Sequence, residues 1–346
     1  MNKTAARLVG FVVVAALIVG IVVFARQKGG RLRFALIPKS VGHSYWEGVR
    51  EGMNAAAEEH GVKAVFHGPS AANIDEQIRI IENFITQGYD GISISPNDPN
   101  SVKEVIKRAM DKGIAVVTFD SDSPQSDRLL YIGTDNREAG RVGGREMIKL
   151  LGAKPRPSPA SGTVEGTEEL LVQIIGGNQG AWNLNERIEG FQEAVQGTTI
   201  KLCNVLFNEE NQNKSLEVAE NAITAHPNLR GFFGSNAFAG PGTALAIKGA
   251  IQRGRIKPGQ VRVVAFDTTD EILNYVEEGI IDCTLAQQTR LMGKLSIEKL
   301  LEFAKERRQT GRFTRPPKGK DVIDTGVAVV RREDVRSYRT TPVTKK

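Results

Sequence analysis

The amino-acid sequence predicts an α/β protein of two lobes, each a doubly wound parallel sheet. Three observations lead there. From Arg33 onward, short apolar runs alternate with amphipathic stretches of helical length, the pattern of βαβ units. The apolar runs are continuous, as in strands covered on both faces. The alternation also passes through two consecutive series, and 346 residues suffice for two domains with separate cores.

In the first series RFALIPK (33–39), KAVFHGP (63–69), GISISP (91–96) and AVVTFDS (115–121) read as buried strands. The amphipathic stretches 44–60, 74–87 and 99–112 between them read as helices. The second series has strands LVQIIGG (171–177), IKLCNVLF (200–207), GFFGSN (231–236), RVVAFDT (262–268) and DCTLAQQ (282–288). Its helices fall near 137–151, 184–195, 213–225, 241–252 and 270–278. A Pro/Gly/Ser-rich stretch, 153–166, reads as a surface insertion, because the α/β rhythm resumes after it. Gly140, Gly143 and Gly144 lie inside a helix pattern and read as small packing positions.

In open parallel sheets, ligands bind beyond the carboxyl ends of the strands. Those ends are rich in Asp, Asn and Gln: Asn97 and Asp98 after the third strand, Asp120 and Asp122 after the fourth. In the second series Asn178, Asn236, Asp267 and Gln287 take such positions. The first strand runs into Ser44, Tyr45 and Trp46. Ionised carboxylates accept strong hydrogen bonds, amides both donate and accept, and aromatic rings cover C–H faces. Such a set suits a polyhydroxylated ligand. Helix capping is the competing role for Asp98 and Asp122, and core packing for Tyr45 or Trp46.

Other chemistries find less support. KSVGHSYW follows the first strand where a phosphate cradle would need GxGxxG or GxxxxGK[ST], and the chain has no GxSxG elbow. The four histidines show no metal-ligand spacing, so no metal and no cofactor are expected. Paired carboxylates leave glycoside hydrolysis open by inventory alone, but an enzyme is disfavoured and no catalytic residue is assigned. Net charge is +6, with basic clusters at both ends that are not interleaved with aromatics, which argues against nucleic acid. Cys203 and Cys283 lie in apolar runs and read as two buried thiols, with one disulfide open.

Residues 1–30 are of another kind. A short basic start precedes the uncharged apolar run 8–25, whose length suits a spanning helix better than the core of a cleaved signal. An uncleaved signal anchor is expected, with cleavage as the alternative.

The motifs HSYWEGVREGM (43–53), ISPND (94–98), VTFDSD (117–122), YIGTDNREAG (131–140), NERIEGFQEA (185–194), TAHPNLRGFF (224–233), VVAFD (263–267) and LAQQ (285–288) occur in one order and spacing. In them the chain resembles the ribose-binding-protein-like branch of periplasmic sugar-binding proteins, which serve ABC importers. The resemblance covers about 33–330. It implies a type I periplasmic binding fold whose chain crosses between lobes three times. Lobe one would then comprise 31–134 plus 289–325, and lobe two 135–288 plus 326–332. Residues 333–346 would form a mobile basic tail.

Carried over by position, Ser44, Tyr45 and Trp46 match the family's Asn-Pro-Phe-Phe-like loop. Asp120, Asn236, Asp267 and Gln287 match ligand residues of the same type. Departures are Ser121 where the family has Arg, with Asp122 added; Asn185 where it has Arg; and Glu210 near the place of an aromatic ring. These departures count against ribose and leave a sugar in place, and the added acids disfavour an anionic ligand. The resemblance implies a monomeric, extracytoplasmic protein that takes a neutral pentose or hexose and delivers it to an ABC permease. The alternative is an anchored sugar or inositol sensor that presents its ligand to a signalling partner. A regulator of the lac-repressor type would carry a helix-turn-helix domain where the apolar run stands.

Overall fold

The computed structural model describes residues 30–156, 169–317 and 319–339. The expected anchor segment lies outside them, and among the described residues no helix is long and apolar enough to cross a membrane. Two sheets organise the chain. The first comprises β1 (Arg33–Ile37), β2 (Lys63–Phe66), β3 (Gly91–Ile94), β4 (Ala115–Phe119), β5 (Leu130–Gly133) and the late β12 (Val322–Asp324). Its spatial order is β12-β5-β4-β3-β1-β2, parallel throughout. The second comprises β6 (Leu170–Gly176), β7 (Ile200–Leu202), β8 (Leu206–Phe207), β9 (Leu229–Gly234), β10 (Arg262–Phe266), β11 (Cys283–Gln287) and β13 (Val327–Val330). Its order is β13-β11-β10-β9-β6-β7, with β8 also on β6 and only β13 antiparallel. In each sheet the first strand lies inside the sheet, so the order reverses beside β1 and beside β6; ligands bind at such points.

The continuous apolar strands bury both faces. In the first sheet Phe34, Leu36, Val117 and Phe119 pack on α1 (Tyr45–Glu59) and α9 (Thr289–Thr310). Ala35, Ile37, Ile92 and Val116 face α2 (Ile74–Thr86) and α3 (Lys103–Asp111). In the second sheet Ile174, Phe233, Val264 and Phe266 face α4 (Asn136–Leu151) and α5 (Trp182–Val195). Phe232, Val263 and Ala265 face α6 (Gln212–Ala225), α7 (Ala239–Gln252) and α8 (Asp270–Glu278). Local chemistry sets several helix starts: the side chains of Asn73, Asp135, Asn211 and Thr269 each accept the backbone N–H three residues on.

One helix pair in each lobe packs backbone against backbone. A Cβ on Gly52 of α1 would lie 1.9 Å from the Arg290 carbonyl oxygen, and one on Gly293 of α9 2.0 Å from that of Val49. Between α4 and α5, a Cβ on Gly140 would lie 2.1 Å from the Arg187 oxygen and one on Gly190 1.9 Å from that of Arg137. Gly144 meets Ala194 in the same seam and Gly143 meets Phe233 of the sheet beneath, the packing role expected of them.

The structure departs from the sequence reading in several places. The run 200–207 is two strands: β7 and β8 both pair with β6, but the register advances by one residue between them. In that bulge the Asn204 carbonyl accepts from Gln173 Nε2. Strand β5 and the long helix α9 were not anticipated, nor were β12 and β13. The tail begins as structure: Arg332–Asp334 and α10 (Val335–Tyr338) are helical, Val335 is buried, and Arg339 bonds Asn274 and Glu277. Residues 340–346 and 157–168, which include most of the expected insertion, lie outside the description. Cys203 and Cys283 are free thiols, and burial pushes Cys283 up to about 12.

The glycine seam gives a direct test. Gly190→Ala forces α4 and α5 apart and is expected to lower the unfolding free energy by about 1–3 kcal/mol, as overpacking does, measured by denaturant titration. An unchanged midpoint would show that the helices can separate freely.

Candidate functional site

The carboxyl edges of the two sheets face each other across a cleft of about 450 Å³. From the first lobe it is lined by Lys39, Ser40, His43, Tyr45, Trp46 and Asp120. From the second come Asn183, Leu184, Arg187, Glu210, Asn236, Ala237, Phe238, Asp267 and Gln287.

Two aspartates anchor it. Asp120 follows Phe119 at the end of β4, and Asp267 follows Phe266 at the end of β10. Both have left-handed backbones, φ 59° and 74°, and each donates its N–H to the next strand, to Ile132 and Leu285 at 3.0 and 2.8 Å. Non-glycine residues held in this region cost of order 1–3 kcal/mol and cluster at functional sites. Here the turn aims each carboxylate inward. Asp120 accepts from Tyr45 Oη at 2.6 Å and Ser95 Oγ at 2.7 Å. Asp267 accepts from Gln287 Nε2 at 2.8 Å. Burial pushes Asp267 up to about 6, against the opposing pull of Arg187, Gln287 and Lys39 and with the push of Asp120.

Two cations face the acids. Lys39, 5% exposed, donates from the first lobe to Asn183 Oδ1 of the second at 2.8 Å. Arg187, 1% exposed, donates through Nε to Asn136 Oδ1 at 2.8 Å and through Nη1 to the Ser235 carbonyl at 3.0 Å. Its guanidinium lies 4.1 Å over the Phe266 ring. Arg187 Nη2 and Gln287 Oε1 are buried without a protein partner. Rings close the rest: His43 meets Phe238 across the cleft at 4.4 Å, and Trp46 stands edge-on to Phe119 at 6.0 Å. Burial holds His43 below its ordinary value, and its Nδ1 accepts the Tyr45 N–H. Near the crossing, Trp182 of α5 stands edge-on to Tyr131 of β5 at 5.8 Å.

Of the residues expected from sequence, the structure brings Tyr45, Trp46, Asp120, Asn236, Asp267 and Gln287 together at the cleft. Trp46 also belongs to the first lobe's core. Ser44, Asn97, Asp122 and Asn185 stand apart. Ser44 is exposed at the start of α1. Asn97 braces the preceding loop, donating to the Lys39 carbonyl. Asn185 donates to the Gln179 carbonyl. Asp122 is clamped by Arg128 through two bonds of 2.6 and 2.7 Å and by Thr118 Oγ1, while Arg128 also reaches Asp321 at 2.9 Å. The acid expected to sharpen the cleft's negative charge is thus spent in a buried ion pair. An arginine lines the cleft all the same: Arg187, two residues after Asn185 and within the same motif. Sequence reasoning also passed over Lys39, His43, Asn183 and Phe238. A helical repeat would have found part of this set, since Asn183 and Arg187 share a face that Asn185 does not.

The fold and the cleft define a two-lobed binding protein that encloses a small polar molecule. The chain belongs to a periplasmic binding protein family: the family's periplasmic binding protein domain matches residues 34–308. The D-ribose/D-allose-binding protein of Pseudomonas aeruginosa is 28% identical over 280 residues, covering 78% of this chain and 82% of the relative. The D-allose-binding periplasmic protein of Escherichia coli is 27% identical, covering 79% and 84%. Among solved structures, an ABC transporter solute-binding protein from Burkholderia graminis in complex with D-arabinose is 33% identical with a TM-score of 0.77, covering 90% of this chain and all of that one.

The separation of Asp122 from the cleft yields a contrast. Asp122→Ala leaves the buried Arg128 with Asp321 in place of two carboxylate partners and is expected to cost up to about 3–5 kcal/mol of stability, the range for one partner of a buried pair, with sugar affinity in the folded fraction unchanged. Asp120→Ala is expected to weaken binding by about 1.5–3 kcal/mol, the worth of a hydrogen bond to a charged group. Calorimetry and thermal unfolding of both variants separate the two roles.

Proposed function

We propose that this chain captures a neutral monosaccharide outside the cytoplasmic membrane and hands it to an ABC importer, without chemical conversion. One observation carries the reading. Two buried polar atoms of cleft-lining residues, the donor Nη2 of Arg187 and the acceptor Oε1 of Gln287, have no protein partner. Buried polar groups left unpaired cost about 1–3 kcal/mol each. Flanked by the carboxylates of Asp120 and Asp267, they form a fan of donors and acceptors that the hydroxyls of one sugar ring can complete. The charges lining the cleft are mixed: Asp120, Asp267 and Glu210 against Lys39 and Arg187. That balance supports an uncharged ligand. The sugars named for the relatives, ribose, allose and arabinose, support the same class.

The lobes contribute complementary groups, so a ligand touching both favours the closed arrangement by the difference in contacts. The Lys39–Asn183 bond is part of that arrangement. Closure about three crossings, near 134–135, 288 and 325–326, is the mechanism this reading requires. Delivery to a permease, the monomeric state and an anchored N-terminus belong to the same proposal and rest on the family and on the sequence.

A thermal-shift panel of pentoses and hexoses tests it. A binding sugar at 100 times its Kd is expected to add about 2.7 kcal/mol of stability, and Arg187→Met to weaken that sugar at least tenfold. A panel in which no monosaccharide binds would sink the reading.

Asp267 adds a pH signature. Its folded-state value, about 6, lies above the ordinary 3.8, so between those values the folded protein holds the proton the unfolded chain has released. Stability from this group is therefore present at low pH and declines as pH rises through that window. Sugar hydroxyls donate to the carboxylate and favour its ionised form. Affinity is thus expected to be full above pH 7 and to fall by up to about tenfold at pH 5. Asp267→Asn should remove the pH dependence, and an equal slope in that variant would refute the assignment.

A further inference from the structure

Between the two ligand-facing groups runs a continuous buried chain of hydrogen bonds that passes through the first crossing. It starts at Arg187 of α5, whose Nε donates to Asn136 Oδ1 at 2.8 Å. Asn136 is the first residue of α4 and 1% exposed. Its Nδ2 donates to Tyr131 Oη at 3.1 Å. Tyr131 lies on β5, in the other sheet, and its hydroxyl proton is shared between the carbonyls of Asp120 at 2.9 Å and Thr134 at 3.2 Å. Thr134 lies at the crossing, and Asp120 is the first lobe's ligand-facing carboxylate. Both ends of the Asn136 amide are occupied, so its orientation is fixed.

The tyrosine is seated for this position. It is 2% exposed, and Trp182 of the second lobe covers its ring edge. A Cβ on Gly133 would fall 2.2 Å from its hydroxyl oxygen, so only a glycine there lets the ring fold back over its own strand. Burial, with Asp120 and Asp122 nearby, raises the Tyr131 hydroxyl well above its ordinary value, which keeps it a donor.

We propose that Tyr131 is a positioning residue for ligand binding, setting the Arg187 guanidinium through Asn136 and the Asp120 turn through its carbonyl, so that the two groups align at one angle between the lobes. Tyr131 does not line the cleft; it acts through residues that do. A change in angle at the crossing stretches the Tyr131–Asn136 bond before it disturbs either sheet. The affinity consequence rests on the sugar-binding reading, whereas the relay does not.

Two readouts separate them. In protein labelled with ¹⁵N-arginine, the Nε–H resonance of Arg187 is assigned by its loss in Arg187→Met. Tyr131→Phe, which removes the hydroxyl, and Gly133→Ala, which displaces it, are each expected to shift that resonance and speed its exchange with water. An unmoved resonance in the folded variants overturns the relay; two variants are used so that one failing to fold leaves the other to decide. The second readout is affinity for whichever of D-ribose, D-allose and D-arabinose the parent binds most tightly. Tyr131→Phe is expected to weaken it about tenfold, as loss of one ordinary hydrogen bond does. In an Arg187→Met background the same change is expected to have a clearly smaller effect, the part that acts through the Asp120 turn alone. Factors that multiply across the two backgrounds would show that Tyr131 acts independently of Arg187, against the proposal. A parent that binds none of the three sugars defeats the carbohydrate reading, and the resonance still decides the relay.

Discussion

A guanidinium that is 1% exposed must be balanced on every side, and around Arg187 that requirement fixes much of the second lobe. Helix α4 has to begin at Asn136, immediately past the crossing, so that its amide meets Nε. Strand β9 has to run into Ser235 so that a carbonyl meets Nη1, and β10 has to bring Phe266 beneath the guanidinium plane. Helix α5 must lie close enough to α4 for the Arg187 carbonyl to touch Gly140. Each demand is met by a different element. The cation in the cleft is therefore as much a keystone of packing as a group available to a ligand.

The two lobes solve one problem in similar ways. Each ends a central strand with Phe-Asp, turns the aspartate into the left-handed region and ties its N–H to the neighbouring strand. Each also seals its sheet with a helix pair meeting at glycines. The difference lies in the partners. Asp120 accepts two side-chain bonds, from Tyr45 and Ser95, whereas Asp267 accepts one, from Gln287, and burial pushes it up to about 6. Related backbones thus hold one carboxylate that is preset and one that responds to its surroundings.

The strand ends were legible because parallel strands announce themselves as apolar runs, and the residue after the run must lie at the edge. Asp120, Asp267 and Gln287 are found that way. Asn185 was misplaced because a motif gives order but not helical phase: two residues on a helix turn about 200°, so Arg187 faces the cleft where Asn185 cannot. Asp122 was misplaced because its partner Arg128 sits beyond the strand in an irregular segment, and a bidentate pair across a turn has no period to reveal it. Strand β5 has four residues and β12 three, too short for a pattern to rise above the surrounding chain. Helix α9 carries many charges on its outer face, which dilutes its apolar stripe although Met292, Ile297, Leu300 and Phe303 are buried. Lys39 could not be singled out, since a lysine after a strand is ordinarily solvated and its burial depends on the other lobe.

The chain has two tryptophans, and both lie at the seam. Trp46 lines the cleft against Phe119, and Trp182 reaches from α5 to Tyr131 in the opposite lobe. Intrinsic tryptophan emission from this protein is therefore a local signal by construction. It reports the polarity and geometry of the space between the lobes and is almost blind to their outer helices, so the molecule carries its own optical gauge of the cleft without any added dye.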